Sequence, residues 1–407
     1  GHYRIPLVYG NAIKNGATNN SSYISSAPVT PLIYSGYTYP DVILHNFKDH
    51  NDVNIDNPWI TLTNGGNNVP DGAKIVWTDQ SGIVEPGSVQ LVGSGTNAFV
   101  RFHVPQDKIK NGNAVIAVTK GGTVVWSWNL WFDHDNVLNT IPIVNQQGFT
   151  YKFTEQTLGF VYRKWEETKY TKPRQVRIKI EQVAANNGVR QSSVVTIIQN
   201  PGKVKEFDSP TYQFGRSMAI PGIDPVIDGS FAIDAVHGGH TLGYSIQHPE
   251  MMLATNLSAH QGLDWCTETY LNLWSVEYHD HANRMNDIAV VKSVYDPSPA
   301  GLKLPASNAF SGFVKSDGVT PNIVGNDDYG LTFKSWVGSN TIYFPATGMR
   351  FPDASSYYAK YVQGSYRSAV TVEPAHAQYF FFVVNGPCNP GASNPRSDGY
   401  AVRPVAE

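Results

Sequence analysis

The sequence predicts a mainly β protein with two domains, an N-terminal β-sandwich and an irregular α+β C-terminal domain. Three observations support this prediction: a clear hairpin, turn residues that recur along the chain, and an unusual composition. Only 15% of the 407 residues are charged and 12% are aromatic, a balance typical of turn-rich β proteins of the cell exterior. A chain of this length exceeds one ordinary core, so two domains are expected.

The hairpin lies at residues 114–132, where two apolar runs flank the glycine pair at 121–122. A two-residue turn of type I′ or II′ needs positive φ, which glycine adopts without steric cost. The second run contains Trp126, Trp128 and Trp131. Such a strand is expected to lie near the middle of a sheet, with its tryptophans in the core.

Short strand-like runs separated by turn residues fill the N-terminal third of the chain. Clear examples lie at 73–78, 89–92 and 98–104. The first run, 3–9, contains Pro6, which cannot donate to a strand ladder and therefore indicates an edge strand or a bulge. This spacing predicts a β-sandwich over residues 1–145.

The remaining residues, 146–407, are irregular and rich in aromatic side chains. Short helices are expected near 288–292 and 306–313. Two alternating strands at 174–199 predict a hairpin with one apolar and one basic face. The inward set would be Val176, Ile178 and Ile180, and the outward set Arg177 and Lys179.

Charge and hydropathy exclude some partners. The net charge of -3 offers no attraction for nucleic acid or for an anionic membrane, so neither is expected as a partner. No apolar run approaches the roughly 18 residues that span a bilayer, so no membrane-spanning segment is expected. In an exported protein, Cys266 and Cys388 could form one disulfide, although their spacing does not show that they meet.

Histidines and aspartates cluster in three places, which are 133–135, the pair His237 and His240, and 279–287. Their spacings match no structural zinc pattern and no HExxH motif, so we expect no metal or other cofactor. There is no GxSxG nucleophile elbow, and the acidic pair Glu166-Glu167 lies in a charged segment. An enzyme is therefore the least favoured class.

Five stretches carry a family resemblance; they lie at 6–19, 123–132, 212–222, 290–307 and 341–350. There the chain resembles fimbrillin-like surface proteins of Bacteroides and related gut bacteria. DPSPAGLKLP, TIYFPATG and SDGYAVRPV are also similar to the major paralogous domain described from Fibrobacter, whose architecture is akin to C-type lectins. The resemblance implies a fimbrillin-like sandwich over 1–145 and a C-type-lectin-like domain over 146–407, with a hairpin inserted at about 163–202.

The resemblance implies a non-enzymatic adhesion protein or fimbrial subunit, with both tip and stalk positions open. It would be located at the cell surface or fimbrium and attached to the outer membrane. Its partners would be other fimbrial subunits, or glycans or proteins of host or microbial surfaces. The alternative is a carbohydrate-binding surface protein for glycan capture. The chain departs from the family at Val161-Tyr162, where members often carry WCD. Glu373-Pro374 is followed by alanine, which disfavours a lectin-type calcium site.

The sequence-predicted ligand site consists of aromatic and basic residues near 350–367. Aromatic rings stack on sugars and anchor protein interfaces because they bury a large area at little rotamer cost. The candidate residues are Tyr357, Tyr358, Tyr361, Tyr366, Arg350 and Arg367.

Overall fold

The fold was determined from a computed structural model of the chain. It describes residues 1–133, 136–165, 172–184, 187–199, 204–256, 263–327, 329–352 and 357–407. Strands account for 41% of the residues and helices for 7%. The prediction of a mainly β protein is therefore confirmed.

The strands are short and numerous, and turns separate them throughout the described residues. In the first half of the chain they are β1 (His2–Pro6), β2 (Ile13–Lys14), β3 (Ala17–Thr18), β4 (Leu32–Tyr34), β5 (Tyr37–Tyr39), β6 (Gly72–Thr78), β7 (Gln90–Val92), β8 (Phe99–His103), β9 (Gly112–Lys120), β10 (Thr123–Phe132), β11 (Thr140–Val144), β12 (Thr150–Thr154), β13 (Val161–Trp165), β14 (Arg174–Glu181) and β15 (Ser192–Gln199). In the second half they are β16 (Val204–Asp208), β17 (Asp228–Gly229), β18 (Ala232–Ile233), β19 (Met251–Met252), β20 (Leu302–Lys303), β21 (Ile323–Asp327), β22 (Gly330–Lys334), β23 (Thr341–Pro345), β24 (Met349–Arg350), β25 (Tyr357–Tyr358), β26 (Gln363–Glu373), β27 (His376–Val383), β28 (Cys388–Pro395), β29 (Ala401–Val402) and β30 (Val405–Ala406).

The predicted hairpin is formed by β9 and β10, which pair in antiparallel register. Its turn residues Gly121 and Gly122 have φ of 55° and 85°, the left-handed values of a type I′ turn. However, β10 is the edge strand of a sheet ordered β10-β9-β6-β17. The expectation that the tryptophan strand lies in the middle is wrong, because β9 takes the interior position and is buried from Gly112 to Thr119.

The N-terminal strand β1 is also an edge strand, in a sheet ordered β1-β8-β7. It ends at Pro6 and pairs only with β8 among the described strands. The edge position expected from Pro6 is confirmed.

Two compact units make up the chain. One contains residues 1–160 together with 209–407, and the other contains residues 161–208. The larger unit has a core that joins residues as distant in sequence as Leu7 and Val402. The expected boundary between 145 and 146 therefore does not coincide with a boundary between compact units.

A second core of the larger unit is strongly aromatic. Five phenylalanines, Phe153, Phe313, Phe333, Phe344 and Phe380, pack with ring centroids 5.0–6.0 Å apart around Phe313 and Phe333. Tilted and edge-to-face contacts are favourable because the positive edge of one ring lies against the negative face of the next. The core gives the C-terminal half a rigid interior despite its short strands.

Helices are few among the described residues. The predicted helix near 306–313 is present as a 3₁₀ helix, Ser307–Phe313, whereas 288–292 forms no helix. The helix Leu242–Gln247 was not predicted; it begins after Thr241, whose hydroxyl accepts the backbone N–H of Tyr244. No helix in the described part of the chain has the length and hydropathy needed to cross a membrane.

The smaller unit is a β-ribbon. Its strands β14 and β15 pair along eight residues, and β13 pairs with β16. Val176, Ile178 and Ile180 were expected to point inward, but all three are exposed. The two faces alternate along β14 as expected, but no described segment of this unit covers the apolar face.

Candidate functional site

Tyr366 and Arg367, expected at a ligand surface, lie in the interior of β26 and have no exposed area. The Tyr366 hydroxyl donates to the carbonyl oxygen of Pro345 over 2.6 Å. The Arg367 guanidinium donates to backbone carbonyl oxygens, including that of Ala377 at 3.0 Å, and lies 4.2 Å from the ring centroid of Tyr400. These contacts make both residues structural, and the prediction that they bind a ligand is wrong.

Arg350 is buried as well, with 1% of its surface exposed. Its guanidinium lies 3.1 Å from the carboxylate of Asp224 and 5.6 Å from the ring centroid of Tyr357. Tyr357 is half-buried, and its hydroxyl lies 2.9 Å from the carbonyl oxygen of Pro221. Arg350 therefore ties β24 to the segment around Pro221 and does not face solvent.

Of the six predicted residues, Tyr358 and Tyr361 retain accessible rings. Tyr358 is 58% exposed, and its ring centroid lies 5.6 Å from that of Phe351. Tyr361 is half-buried against Tyr329, with centroids 4.7 Å apart. The structure thus divides the predicted cluster into three buried residues, two half-buried tyrosines and one exposed tyrosine; in that order they are Arg350, Tyr366 and Arg367, then Tyr357 and Tyr361, then Tyr358.

The two cysteines are free and buried in different cores, Cys266 in the first and Cys388 in the second. The disulfide considered from the sequence is not formed. Burial raises the pKa of both thiols, so they are inert rather than reactive cysteines.

The histidine and aspartate clusters do not converge on a metal site in the described residues. No group of three or more His, Cys, Asp or Glu side chains there is arranged to hold an ion. His240 pairs with Asp234, and Asp287 accepts hydrogen bonds from Asn145 and Tyr151. Residues 134 and 135 of the first cluster lie outside the described part of the chain.

The larger unit contains a cleft of about 730 Å³. Its walls are β10, the N-terminal segment from Ile5 to Asn15, and the turn 297–301. This volume lies within the ~300–1,000 Å³ typical of small-molecule sites. We call it the tryptophan cleft, because Trp128 and Trp131 line it.

The tryptophans of β10 divide between core and cleft. Trp126 is buried, and its ring meets that of Tyr9 edge-on at 5.0 Å. Trp128 and Trp131 are only half-buried. The expectation that all three are core residues is wrong for these two, because β10 lies at the edge of its sheet and no other described strand pairs with its outer side.

Hydrogen bonding separates the two half-buried tryptophans. The indole N–H of Trp131 donates to the carbonyl oxygen of Phe160 at 3.2 Å, which fixes this ring as a wall. The indole N–H of Trp128 has no acceptor in the described residues. Trp128 therefore offers the cleft both an aromatic surface and an unused donor.

Asn129 holds the outer edge of β10 in place. Its side-chain amide donates to the carbonyl oxygen of Ser217 at 2.7 Å, and its oxygen accepts the backbone N–H of Ala219 at 3.2 Å. The Asn129 amide thus bonds to the backbone of residues 217 and 219 much as a paired strand would. These hydrogen bonds attach the outer side of β10 to the segment 217–219.

The turn 297–301 is positioned by two buried charges. The ammonium group of Lys292 donates to the carbonyl oxygens of Ser298, Pro299 and Leu302 at 2.6–2.8 Å. The Asp296 carboxylate accepts the backbone N–H groups of Ser298 and Leu304. Burial lowers the pKa of Lys292 and raises that of Asp296, while each charge opposes the shift of the other.

The rim of the cleft contains an ion pair between Lys14 and Glu407. Near it, Gly10 lies against the backbone of Val294, and a side chain at this glycine would overlap that backbone. Gly10 has φ of 38°, so both space and conformation favour glycine there. The N-terminal segment, Glu407 and the turn 297–301 therefore all line the same cavity.

Sequence patterns do not identify the cleft, because the exposure of its tryptophans depends on which strands pair with β9. A usable signal is the pair Lys292 and Asp296 before the turn 297–301, since both side chains bind the backbone of that turn.

No protein family, curated protein or solved structure was found to match this chain.

Proposed function

We propose that this chain is a non-enzymatic adhesion protein of the cell surface that binds a glycan in the tryptophan cleft. The observation that carries the proposal is Trp128, a half-buried ring with an unused N–H donor on the wall of a 730 Å³ cavity. An aromatic face packs against the C–H surface of a sugar, and the indole N–H donates to a hydroxyl. Glycan binding in this cleft is compatible with both hypotheses, an adhesion protein and a carbohydrate-binding surface protein.

The charged groups around the cleft support binding more than catalysis. Lys292 and Asp296 are occupied with the turn 297–301, and Lys14 is paired with Glu407. General acid–base chemistry needs a group free to exchange a proton with the substrate. These groups stabilise the walls, which is the role expected in a preformed binding site.

The finer architecture belongs to the same proposal. We take the N-terminal sheets as the fimbrillin-like sandwich and the aromatic-core region as the C-type-lectin-like domain. Support comes from the many short antiparallel strands and from the Ser307–Phe313 helix that follows the LP of the DPSPAGLKLP run. Leu7 and Val402 belong to one core, so the two proposed regions would share a hydrophobic core and would not be separate domains joined by a linker.

A second function, assembly into a fimbrium, is favoured by β1. This strand is short, exposed and paired on one side with β8, so its other edge could receive a strand of a neighbouring subunit. Deleting residues 1–4 leaves the core residue Leu7 in place. Assembly through β1 predicts loss of self-association in this variant, and undiminished self-association would exclude that route.

A glycan array probed with the full chain, with and without calcium, tests the ligand class. Reproducible binding to one class of glycan, independent of calcium, is the expected result. An array without binding, from protein whose circular dichroism is intact, would overturn the proposal of a glycan ligand. In that case, self-association that depends on β1 would support a role as a fimbrial subunit without a glycan ligand.

A further inference from the structure

The β14–β15 ribbon has two chemically different faces. Directly opposed pairs on one face are Val176 with Ile197 and Ile178 with Val195. Ile180 extends the same face, because side chains alternate along a strand. The five side chains are 43–59% exposed. They form a continuous apolar surface, which we call the ribbon face.

The charged residues of the ribbon are predominantly basic, and the face opposite the ribbon face carries Arg177 and Lys179 beside the exposed Val194 and Ile198. The residues described between 172 and 199 include five cations, Lys172, Arg174, Arg177, Lys179 and Arg190, and one anion, Glu181. The chain as a whole has a net charge of -3, so the ribbon reverses the sign of the molecule locally.

A ribbon of two strands is marginal in water without a surface to cover one of its faces. Contiguous exposed apolar side chains also mark sites of interaction in soluble proteins. The ribbon face meets both criteria: it belongs to a two-stranded ribbon, and its β-branched residues are exposed to solvent. A binding partner for the ribbon should therefore bury the apolar face and also carry negative charge.

We propose that the ribbon lies on the surface of an anionic lipid bilayer, with the ribbon face toward the acyl chains and the basic residues at headgroup level. This orientation is the one that amphipathic segments adopt at a membrane interface. The anionic surface attracts clustered lysines and arginines. The edges of the ribbon stay at headgroup depth, where water and phosphate oxygens satisfy their backbone groups.

Charge and hydropathy favour this occupant over two others. A second ribbon could cover the apolar face, but it would leave the five cations of each ribbon without opposite charges nearby. A soluble polyanion would neutralise the charges but leave five apolar side chains in water. The bilayer satisfies both requirements, and this inference stands independently of the tryptophan cleft.

Flotation of the full chain with vesicles tests the inference. We expect binding to vesicles of phosphatidylcholine mixed with phosphatidylglycerol to be at least about tenfold stronger than to phosphatidylcholine alone. The double variant Ile178→Thr with Ile197→Thr should lose at least about tenfold in affinity. The matched double variant Val194→Thr with Ile198→Thr, on the opposite face, should bind like the wild type.

Four results would overturn the inference. One is equal binding to neutral and anionic vesicles, and another is an equal loss in the two double variants. The third is lipid-independent dimerisation that Ile178→Thr with Ile197→Thr abolishes, without vesicle binding in the wild type. Heparin binding that is unaffected by this variant, again without vesicle binding, would likewise assign the ribbon to soluble polyanions.

Discussion

The Nε atom of Arg396 lies 3.3 Å from Oδ2 of Asp264, and neither side chain is exposed to solvent. Arg396 also donates from Nη1 to the carbonyl oxygen of Pro374 at 3.0 Å. Burial raises the pKa of Asp264 to about 6, against the opposing effect of the Arg396 charge. This pair joins the segment before the C-terminal strands to the middle of the chain.

The first prediction concerns this pair and pH. Because the folded-state pKa of Asp264 is raised from 3.8 to about 6, the folded protein holds this proton more tightly than the unfolded chain. The contribution of Asp264 to stability therefore falls as pH rises from about 4 to about 6.

Arg396→Gln should lower the free energy of unfolding by about 3–5 kcal/mol above pH ~7. Below pH ~5 the loss should be smaller, because Asp264 is then protonated. Urea unfolding at both pH values measures the difference, and a loss independent of pH would contradict the pairing.

The second prediction separates the buried and exposed members of the sequence-predicted site. Arg367→Gln should lower the free energy of unfolding by about 3 kcal/mol or more, because backbone carbonyl oxygens lose buried donors. Tyr358→Ala should change it by less than about 0.5 kcal/mol, since Tyr358 is largely exposed. Denaturant unfolding compares the two variants. Similar small effects would show that Arg367 is not an internal support.

The third prediction addresses the turn of the tryptophan cleft. Lys292→Met leaves three carbonyl oxygens without their buried donor and should cost about 3 kcal/mol or more of unfolding free energy. It should also weaken ligand binding, because the turn 297–301 forms a wall of the cleft. Lys334→Met, at an exposed position of β22, is the matched control. Equal stability of the two variants would refute the role of Lys292.

The fourth prediction concerns the cysteines. Cys266 and Cys388 are buried, and burial raises the pKa of their thiols, so both should react with an aromatic disulfide reagent only on unfolding. Complete unfolding should release two reactive thiols. A reductant should leave the melting temperature unchanged, since no disulfide is present to break. Two thiols that fail to react after denaturation without reductant would indicate a disulfide and contradict the structure.

Local patterns predicted local structure well. The glycine pair at 121–122 predicted the turn of the β9–β10 hairpin, and Pro6 predicted the edge position of β1. Both features depend on backbone conformation or on a missing N–H donor, which a residue imposes on its immediate surroundings. The mainly β class followed from many such local features together.

Features that depend on distant partners could not be predicted in this way. The edge position of β10 requires β6 to pair with the other side of β9. Arg350 and Arg367 resemble surface residues by type, but distant carbonyl oxygens and rings surround them in the fold. Alternation along β14 identifies two faces, but it does not state whether any layer of chain covers one of them.

The most direct test of the central claim compares glycan binding by the wild-type chain, Trp128→Ala and Trp336→Ala. Trp336 is also a partly exposed tryptophan, 38% accessible, and it does not line the cleft. We predict that Trp128→Ala abolishes binding to the glycan class recognised by the wild type and that Trp336→Ala preserves it, with circular dichroism showing that all three proteins are folded. Undiminished binding by Trp128→Ala would contradict the claim that the tryptophan cleft is the ligand site.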